Sequence, residues 1–451
     1  MAVAVVAVAR TAVRPVDGEL AGWNPVELAG VVGREALERA GLDAGVLDEV
    51  IVGCADPVGA CGADAARAIV LAAGWPVTIG GVVVDRGETS GLAAMQAAAA
   101  AIRAGQARTV LVVGLGLCSV VPPGAAALNR TYGAPWGGVA DRFAEAGGLL
   151  PGPRLAERAA EAAGMGRAEL DAAAEEFRRR RAEAGASPAI VAVAARPGDA
   201  AGRGVYPGDP VAADVVRDWG DTAELPPAFD DEGLLTAATF APPADGVAAV
   251  LLQAVADRAG SQSGGRPAAS ETRLAPVADG LPAAGLQGAS TESESSGTPP
   301  AEEAIAPEGA STAETVTPSR SDSGSGEAWA RGPALATVVG TGRTAGDPFD
   351  PTGNVAVAVE RALVETGTGL DAVDDIAVVE HDAATVGLVA GALGMGQDAI
   401  NRSGGAVATG NAGAAEELRL ITDGLAVTGS LLLTISAGPT GSAAIMWRKN
   451  I

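Results

Sequence analysis

The chain has 451 residues, which is enough for two or three domains of ordinary size and too many for a single small domain. Its 55 acidic residues outnumber its 31 Lys and Arg residues, and the formal charge of −24 disfavours nucleic acid and anionic membrane surfaces as partners. With Lys449 as the single lysine and His381 as the single histidine, a P-loop, an internal Schiff-base lysine and a multi-histidine metal site are excluded. No metal is expected.

Targeting signals are not expected either. The apolar start has no basic region before it, and no apolar stretch reaches the roughly 18 residues that a membrane span needs. The three cysteines fit neither a disulfide framework nor a zinc site, which predicts a reducing, cytoplasmic location.

Strand and helix patterns alternate along the first half. The Val-rich run at residues 3–9 predicts a strand buried on both faces. Apolar residues at helical spacing predict a helix over Pro25–Ala40, ended by Gly41. The next predicted elements are a strand at 46–52, a helix at 91–104 and a strand at 109–113. This alternation is typical of an α/β protein with a mostly parallel sheet.

The second half repeats motifs of the first. GLDAGVLDEVIVG at 41–53 is echoed by GLDAVDDIAVVE at 369–380, and RTVLVVGLG at 108–116 is echoed by SLLLTISAG at 430–438. Repetition of this kind predicts duplicated halves. Two similar sheets are expected to pack about a pseudo-twofold axis.

Two unlike segments separate the halves. The first, at 119–235, contains helices predicted over 154–163 and 167–184, and its arginine run at 178–181 is interpreted as a solvated face. The second, at 258–328, is rich in Ser, Gly, Pro, Glu and Thr and nearly free of large apolar residues. Such a composition predicts a disordered linker.

These segments, in this order, resemble the thiolases. The resemblance rests on the following motifs: VAVARTAVRPVDGELAG at 6–22, VVVDRGETSGLAAMQAAAAAIRAGQARTVLVVGLG at 82–116, LTAATFAPPADGVAAVLL at 235–252 and INRSGGAVATGNAGAAEELRLI at 400–421. It implies an α/β fold, a five-layer αβαβα sandwich of two duplicated core domains with an inserted loop domain. It also implies acyl-CoA thioesters as ligands, no permanently bound cofactor, and a homodimer or a hetero-oligomer with another thiolase-like subunit.

The resemblance also implies domain boundaries. The N-terminal core domain would comprise 1–118 and 236–257, the loop domain 119–235, the linker 258–328 and the C-terminal core domain 329–451.

The catalytic positions of the family are substituted here. Thiolases carry a nucleophilic cysteine just before a helix start, where thiolate is favoured, and Glu88 stands at that position. Asn411 stands where the family has a histidine base. The late cysteine of the family corresponds to Ile435, or to Ser436 with a one-residue slip. His381 lies in a segment similar to the His-Asp-Cys-Phe motif of the sterol-carrier branch.

The loop that contacts the pantetheine of CoA is altered as well. The family's Ser-Gly pair becomes Ala241 and Pro242, which predicts the loss of a hydrogen bond to CoA, while Asp245 and Gly246 remain. Gly410 is the fourth position matched to CoA binding.

Two functions stay open at this point. In the first, the chain is a degenerate thiolase that binds acyl-CoA or serves as a partner subunit without cysteine-dependent thiolysis. In the second, it is an active acyltransferase or carbon–carbon lyase that uses Glu88 with His381 or Asp382 as acid and base. A carboxyl at position 88 is equally typical of a cap for the helix that follows it. The cysteines are interpreted as small structural residues; they are Cys54, Cys61 and Cys118.

Overall fold

The structure is a computed structural model that describes residues 1–128, 133, 138–139, 141–142, 152–196, 208–229, 233–256 and 334–450. The predicted linker at 258–328 lies outside these residues. The strands are β1 (Ala2–Arg10), β2 (Arg14–Pro15), β3 (Glu49–Gly53), β4 (Gly80–Val84), β5 (Thr109–Leu117), β6 (Val193–Ala194), β7 (Pro210–Val211), β8 (Ala244–Val255), β9 (Ala336–Thr344), β10 (Asp375–Val378), β11 (Leu431–Gly438) and β12 (Gly441–Lys449). The helices are α1 (Pro25–Ala40), α2 (Ala65–Ala72), α3 (Ser90–Arg103), α4 (Ala125–Leu128), α5 (Gly152–Ala162), α6 (Arg167–Ala184), α7 (Val355–Thr366), α8 (Ala383–Leu393), α9 (Ala406–Thr409) and α10 (Ala414–Gly424).

Local sequence signals set the ends of the early elements. Helix α1 has the predicted bounds because Asn24 caps its first turn, accepting the Val26 N–H, and Gly41 ends it with a φ of +66°. The strand predicted at 46–52 begins only at Glu49 and extends to Gly53 as β3. Before it lies a short 3₁₀ turn, Ala44–Val46, in which the Asp43 side chain accepts the Gly45 N–H.

The main sheet has the strand order β10-β11-β12-β9-β1-β8-β5-β3-β4, and β2 pairs with β8. Its first-half strands run β1-β8-β5-β3-β4, and its second-half strands run β9-β12-β11-β10 in the same topological sequence. Ile400 forms a parallel bridge to Ile376 of β10, at the place where β4 pairs with β3 in the first half. The antiparallel pairing of β1 with β9, centred on Ala4 and Thr337, joins the two halves.

Three hydrophobic clusters lie between the layers. One packs α1 and α2 against first-half strands, and another packs α7 and α8 against second-half strands. The central cluster contains α3 and α10 and includes Leu92, Leu418 and Trp447. Helix, first half of the sheet, central helices, second half of the sheet and helix therefore form five layers, and the predicted α/β fold class is confirmed. The predictions of a mostly parallel sheet and of two separate sheets are wrong, because most strand pairs are antiparallel and the β1–β9 pairing joins both halves into one mixed sheet.

The arginine run of α6 is more buried than its sequence indicated. Arg178 and Arg181 are buried, and Arg178 donates to the Ala238 carbonyl at 2.8 Å. Of the four arginines, Arg179 alone is exposed, and it pairs with the half-buried Glu176 on the same helix. The prediction of a solvated face is therefore wrong for the two residues that lie three positions apart on the inner side of the helix.

Arg181 belongs to a buried ionic cluster that fixes α6 to the core. Three arginines and three carboxylates make it electrically balanced: Arg10, Arg181, Arg419, Asp214, Asp423 and Glu416. Burial by itself raises the pKa of Asp214, but the neighbouring arginines outweigh this effect and hold that pKa well below its usual range. The cluster thus ties α6 and the segment around Asp214 to β1 and α10.

Within the described ranges, no helix is both long and apolar enough to cross a membrane.

Candidate functional site

The turn before α3 brings two of the predicted site residues together. Glu88 is half-buried in this turn, and the Ser436 hydroxyl of β11 donates to its backbone carbonyl at 3.0 Å. The Glu88 Oε2 atom is buried and has no hydrogen-bond partner among the described residues. A β-carbon on Gly438 would lie 2.0 Å from this oxygen, so only glycine leaves room for the carboxyl there.

Glu417 is a site residue that sequence reasoning missed. It is buried in the first turn of α10, and its Oε2 accepts the backbone N–H of Gly91 in α3. Burial raises its pKa to about 8, although the N–H groups of Gly91 and Leu92 and the Ser436 hydroxyl act in the opposite direction. A carboxyl that holds a proton near neutral pH therefore lies at the start of α3.

A second pair consists of His381 and Asn411. The Asn411 Nδ2 lies 3.3 Å from His381 Nδ1, and the Asn411 Oδ1 accepts the Gly413 N–H at 2.8 Å. The Gly413 bond fixes which end of the amide faces the ring, so the amide donates and Nδ1 accepts. His381 Nε2 is buried without a hydrogen-bond partner in the described part of the chain.

Close backbone contacts place the Asn411 loop next to the start of α3, where Glu88 lies. A β-carbon on Gly116 at the end of β5 would lie 1.6 Å from the Ala412 carbonyl oxygen. One on Gly91 would lie 2.5 Å from the Ala414 carbonyl oxygen. The loop can therefore rest on β5 and on the start of α3 only because glycines stand opposite it.

The loop of Ala241 and Pro242, which the resemblance matched to pantetheine binding, packs against the His381 pair. The Ala241 N–H donates to the His381 carbonyl at 2.9 Å, and the Asn411 N–H donates to the Pro242 carbonyl at 2.8 Å. Gly410 has a φ of +108°, and a β-carbon there would lie 2.7 Å from the Ala244 methyl group. The structure thus brings Ala241 and Gly410 next to the two polar residues.

Asp245 and Gly246 lie in β8, where their contacts are internal. The Asp245 carboxyl accepts the Ser119 N–H at 2.8 Å and the Ser119 hydroxyl at 2.5 Å. Burial raises the pKa of Asp245 to about 6, opposed by the two Ser119 hydrogen bonds. Gly246 pairs with Gly116 of β5, beneath the Ala412 residue of the Asn411 loop.

Two further buried carboxyls flank His381 in sequence. Asp382 caps α8 by accepting the Thr385 N–H at 2.8 Å, and burial raises its pKa to about 6. Its Oδ2 atom is buried and has no partner among the described residues. Glu380 accepts from Asn401 Nδ2 at 2.6 Å and from the Val407 N–H at 2.9 Å, and burial raises its pKa to about 7.

The three thiols are all buried, and Cys54 follows Gly53, whose backbone packs against Ser90 and Gly91 at the start of α3. Cys54 follows β3 and hydrogen-bonds to Cys61, which raises the pKa of Cys61 together with burial. Cys118 follows β5, with its sulfur 3.9 Å from the Asn411 carbonyl oxygen. Burial raises the pKa of Cys118 to about 12, so this thiol stays protonated at neutral pH.

The arrangement is suited to proton transfer and hydrogen bonding. Several carboxyls have a raised pKa. At this site one imidazole nitrogen and one carboxyl oxygen each of Glu88, Asp382 and Glu417 are buried without a partner among the described residues. No group of three or more potential metal ligands occurs within the part of the chain that the structure describes.

Comparisons with known proteins agree with the fold. A family model described as "Thiolase, N-terminal domain" matches residues 3–256. A steroid 3-ketoacyl-CoA thiolase of Mycobacterium tuberculosis is 39% identical over 113 residues, 25% of this chain and 28% of that protein. An acetyl-CoA acetyltransferase of Pseudomonas aeruginosa is 33% identical over 280 residues, 56% of this chain and 66% of that protein. A beta-ketoadipyl-CoA thiolase of Escherichia coli is 33% identical over 190 residues, 40% and 47% respectively.

The chain spans less than two thirds of the length of each of these relatives. The family model, in contrast, covers more than half of the chain, including β1 to β8 with the start of α3. The chain therefore belongs to the thiolase family.

Proposed function

We propose that this chain binds acyl-CoA thioesters, alone or as the partner of another thiolase-like subunit, and does not carry out cysteine-dependent thiolysis. The observation that carries the proposal is the identity of the side chain at the start of α3, which is Glu88. Covalent acyl transfer needs a thiolate or another activated nucleophile next to a base. Here the turn offers a carboxyl, and Asn411 of the facing loop cannot take up a proton.

The buried thiols do not replace the missing nucleophile. Cys118 lies near Asn411, but its raised pKa of about 12 leaves almost no thiolate at neutral pH. Cys61 hydrogen-bonds to Cys54 and lowers the Cys54 pKa, but Cys54 is buried and its hydrogen-bond partner is a second thiol rather than a base. A nucleophile and base that act as one unit typically contribute on the order of a millionfold to turnover, so thiolysis is expected to be unmeasurable.

Acyl-CoA is the proposed ligand because the named relatives are CoA thiolases and an acetyl-CoA acetyltransferase, and because Ala241, Pro242, Asp245 and Gly246 match the family's CoA-binding loop in sequence. In this chain the Ala241 and Pro242 backbone groups bond to His381 and Asn411, which leaves fewer groups for CoA. We therefore expect weak, reversible binding in which Gly410 and the Asn411 loop contact the thioester end. Asp245 and Gly246 would support that loop from β8.

Intact mass spectrometry under native and denaturing conditions tests the proposal. After incubation with acetyl-CoA, we expect a non-covalent CoA complex under native conditions and the unmodified chain mass after denaturation. The Glu88→Cys variant serves as the matched test of the missing thiol, and we expect it to remain without thiolase activity because Asn411 is unchanged. An acetyl group mapped to the turn around residue 88 of the unmodified sequence would contradict the proposal, and so would failure to retain any CoA species. The native spectrum also shows whether the chain is a homodimer or needs a second kind of subunit.

One observation favours a second function, an acid–base enzyme acting on acyl-CoA. Glu88 Oε2, His381 Nε2 and Asp382 Oδ2 are all buried without a partner among the described residues, and Asp382 has a pKa raised to about 6 by burial. Proton abstraction next to a thioester carbonyl needs such groups. Exchange of the acetyl protons of acetyl-CoA into heavy water, followed by NMR, distinguishes the two functions. Exchange that falls at least about 100-fold in Glu88→Gln supports the enzyme, whereas no exchange supports the binding protein.

A further inference from the structure

Helix α3 receives no side-chain cap from its own first residues. Thr89 stands at the N-cap position, but its hydroxyl donates to the Arg86 carbonyl at 3.1 Å. The Ser90 hydroxyl donates to the Gly87 carbonyl at 2.6 Å. Since the first N–H groups of a helix have no partner within the helix, they need an acceptor from elsewhere.

Glu417 supplies that acceptor from a distant part of the chain. Its Oε2 accepts the Gly91 N–H, and the Leu92 N–H also bonds to the carboxyl. Glu417 is buried, and its Oε1 has no hydrogen-bond partner among the described residues. The N-terminal end of a 14-residue helix attracts negative charge through its N–H groups and its dipole. The carboxyl therefore lies at the point where α3 would hold an anion.

We propose that Glu417 is an internal ligand of the N-terminal end of α3. Its carboxyl takes the N–H groups that an anionic ligand, or an ionised side chain at position 88, would otherwise use. Ser436 shares this corner, because its hydroxyl donates to the Glu88 carbonyl and lies beside the Glu417 carboxyl. The positive charge of Arg86 lowers the pKa of Glu417, and the Arg86 guanidinium donates to the Thr344 carbonyl at 2.6 Å.

The consequence is that α3 does not stabilise new negative charge until the Glu417 carboxyl is removed. This holds whether or not the chain binds an acyl thioester, since it depends only on contacts within the chain. A thiol placed at position 88 reports the effect directly, because helix N-termini lower thiol pKa values and a thiolate is the reactive form.

The experiment measures the pKa of the thiol introduced by Glu88→Cys, from the pH dependence of its alkylation by iodoacetamide. Peptide mass spectrometry assigns the alkylation to residue 88, apart from the buried native thiols. In Glu88→Cys alone we expect a thiol pKa of about 8.5 or higher. Adding Glu417→Ala frees the N–H groups, and we expect the pKa to fall by at least about one unit, which raises the alkylation rate at pH 7 about tenfold.

Two matched variants separate this effect from general loosening. Glu88→Cys with Glu417→Gln keeps an acceptor opposite Gly91, so its thiol pKa should stay with that of the single variant. Asp375→Asn removes another buried carboxyl, on β10, and should have no effect in the same background. A thiol pKa below about 7.5 in Glu88→Cys alone would overturn the proposal even if the alanine variant does not fold. Equal pKa values with and without Glu417→Ala would overturn it as well.

Discussion

Replacing Gly116 with alanine tests how the Asn411 loop is held. The added β-carbon would lie 1.6 Å from the Ala412 carbonyl oxygen, and real β-carbons keep at least 3.0 Å from such an atom. The loop backbone must therefore retreat by about 1.4 Å. Overpacking of this kind costs about 1–3 kcal/mol, and we expect about 2 kcal/mol from urea unfolding. The retreat also moves Asn411 relative to His381, so acetyl-CoA binding measured by calorimetry should weaken.

Gly246 provides the matched control because it pairs with Gly116 across β5 and β8. A β-carbon there would lie 3.2 Å from the Ala412 methyl group, which needs to move by only a few tenths of an ångström. Gly246→Ala should therefore change the free energy of unfolding by less than about 0.5 kcal/mol. Equal stabilities of the two alanine variants would show that the close backbone approach at Gly116 does not hold the Asn411 loop.

Two further predictions concern buried charge. Arg181→Ala leaves Asp214 and Asp423 short of a partner and should cost about 3–5 kcal/mol in urea unfolding, whereas Arg179→Ala, at an exposed ion pair, should leave the stability nearly unchanged; similar losses in both variants would refute the role of the cluster. Because burial raises the Glu417 pKa to about 8, the folded chain keeps a proton that the unfolded chain loses above about pH 4.5, so stability should fall between pH 5 and 8. Glu417→Gln should remove on the order of 3 kcal/mol of this decline, and an unchanged slope would exclude Glu417 as its source.

Sequence patterns predicted what local signals determine. Helix α1 has its predicted bounds because Asn24 and Gly41 mark its ends and its apolar residues recur with helical spacing. The strand predicted at 46–52 begins three residues later, at Glu49, because Val46 belongs to a capped 3₁₀ turn. Element type could thus be predicted, but several boundaries could not: β5, predicted at 109–113, extends to Leu117.

Contacts between distant segments could not be predicted from local sequence patterns. Glu417 meets Gly91 across 326 positions, and no local pattern marks a carboxyl that caps another helix. The run of four arginines at 178–181 predicts a solvated face and therefore an exposed Arg181. Arg181 follows Ala174 and Phe177 at helical spacing, and both of those residues are buried. This spacing places Arg181 on the inner side of α6 and predicts its burial.

Asn411 and His381 allow a last prediction, about which ring nitrogen carries the proton. The Asn411 Oδ1 is engaged by the Gly413 N–H, so its Nδ2 faces His381 Nδ1 and must donate to it. An accepting Nδ1 carries no proton, so the neutral ring has its proton on Nε2. That nitrogen is buried without a partner among the described residues, and it could therefore donate to a bound thioester.

Nitrogen-15 NMR measures this tautomer directly, and the chain has a single histidine, so its ring signals need no assignment. We expect the Nε2–H form in the unmodified sequence. Asn411→Asp replaces the donor with an acceptor and should move the proton to Nδ1, whereas Asn411→Ala should leave a mixture of the two forms. If the unmodified chain shows the Nδ1–H form, the amide does not donate to the ring. His381 would then present an acceptor rather than a donor at Nε2, and an acid–base enzyme would have to use it as the base.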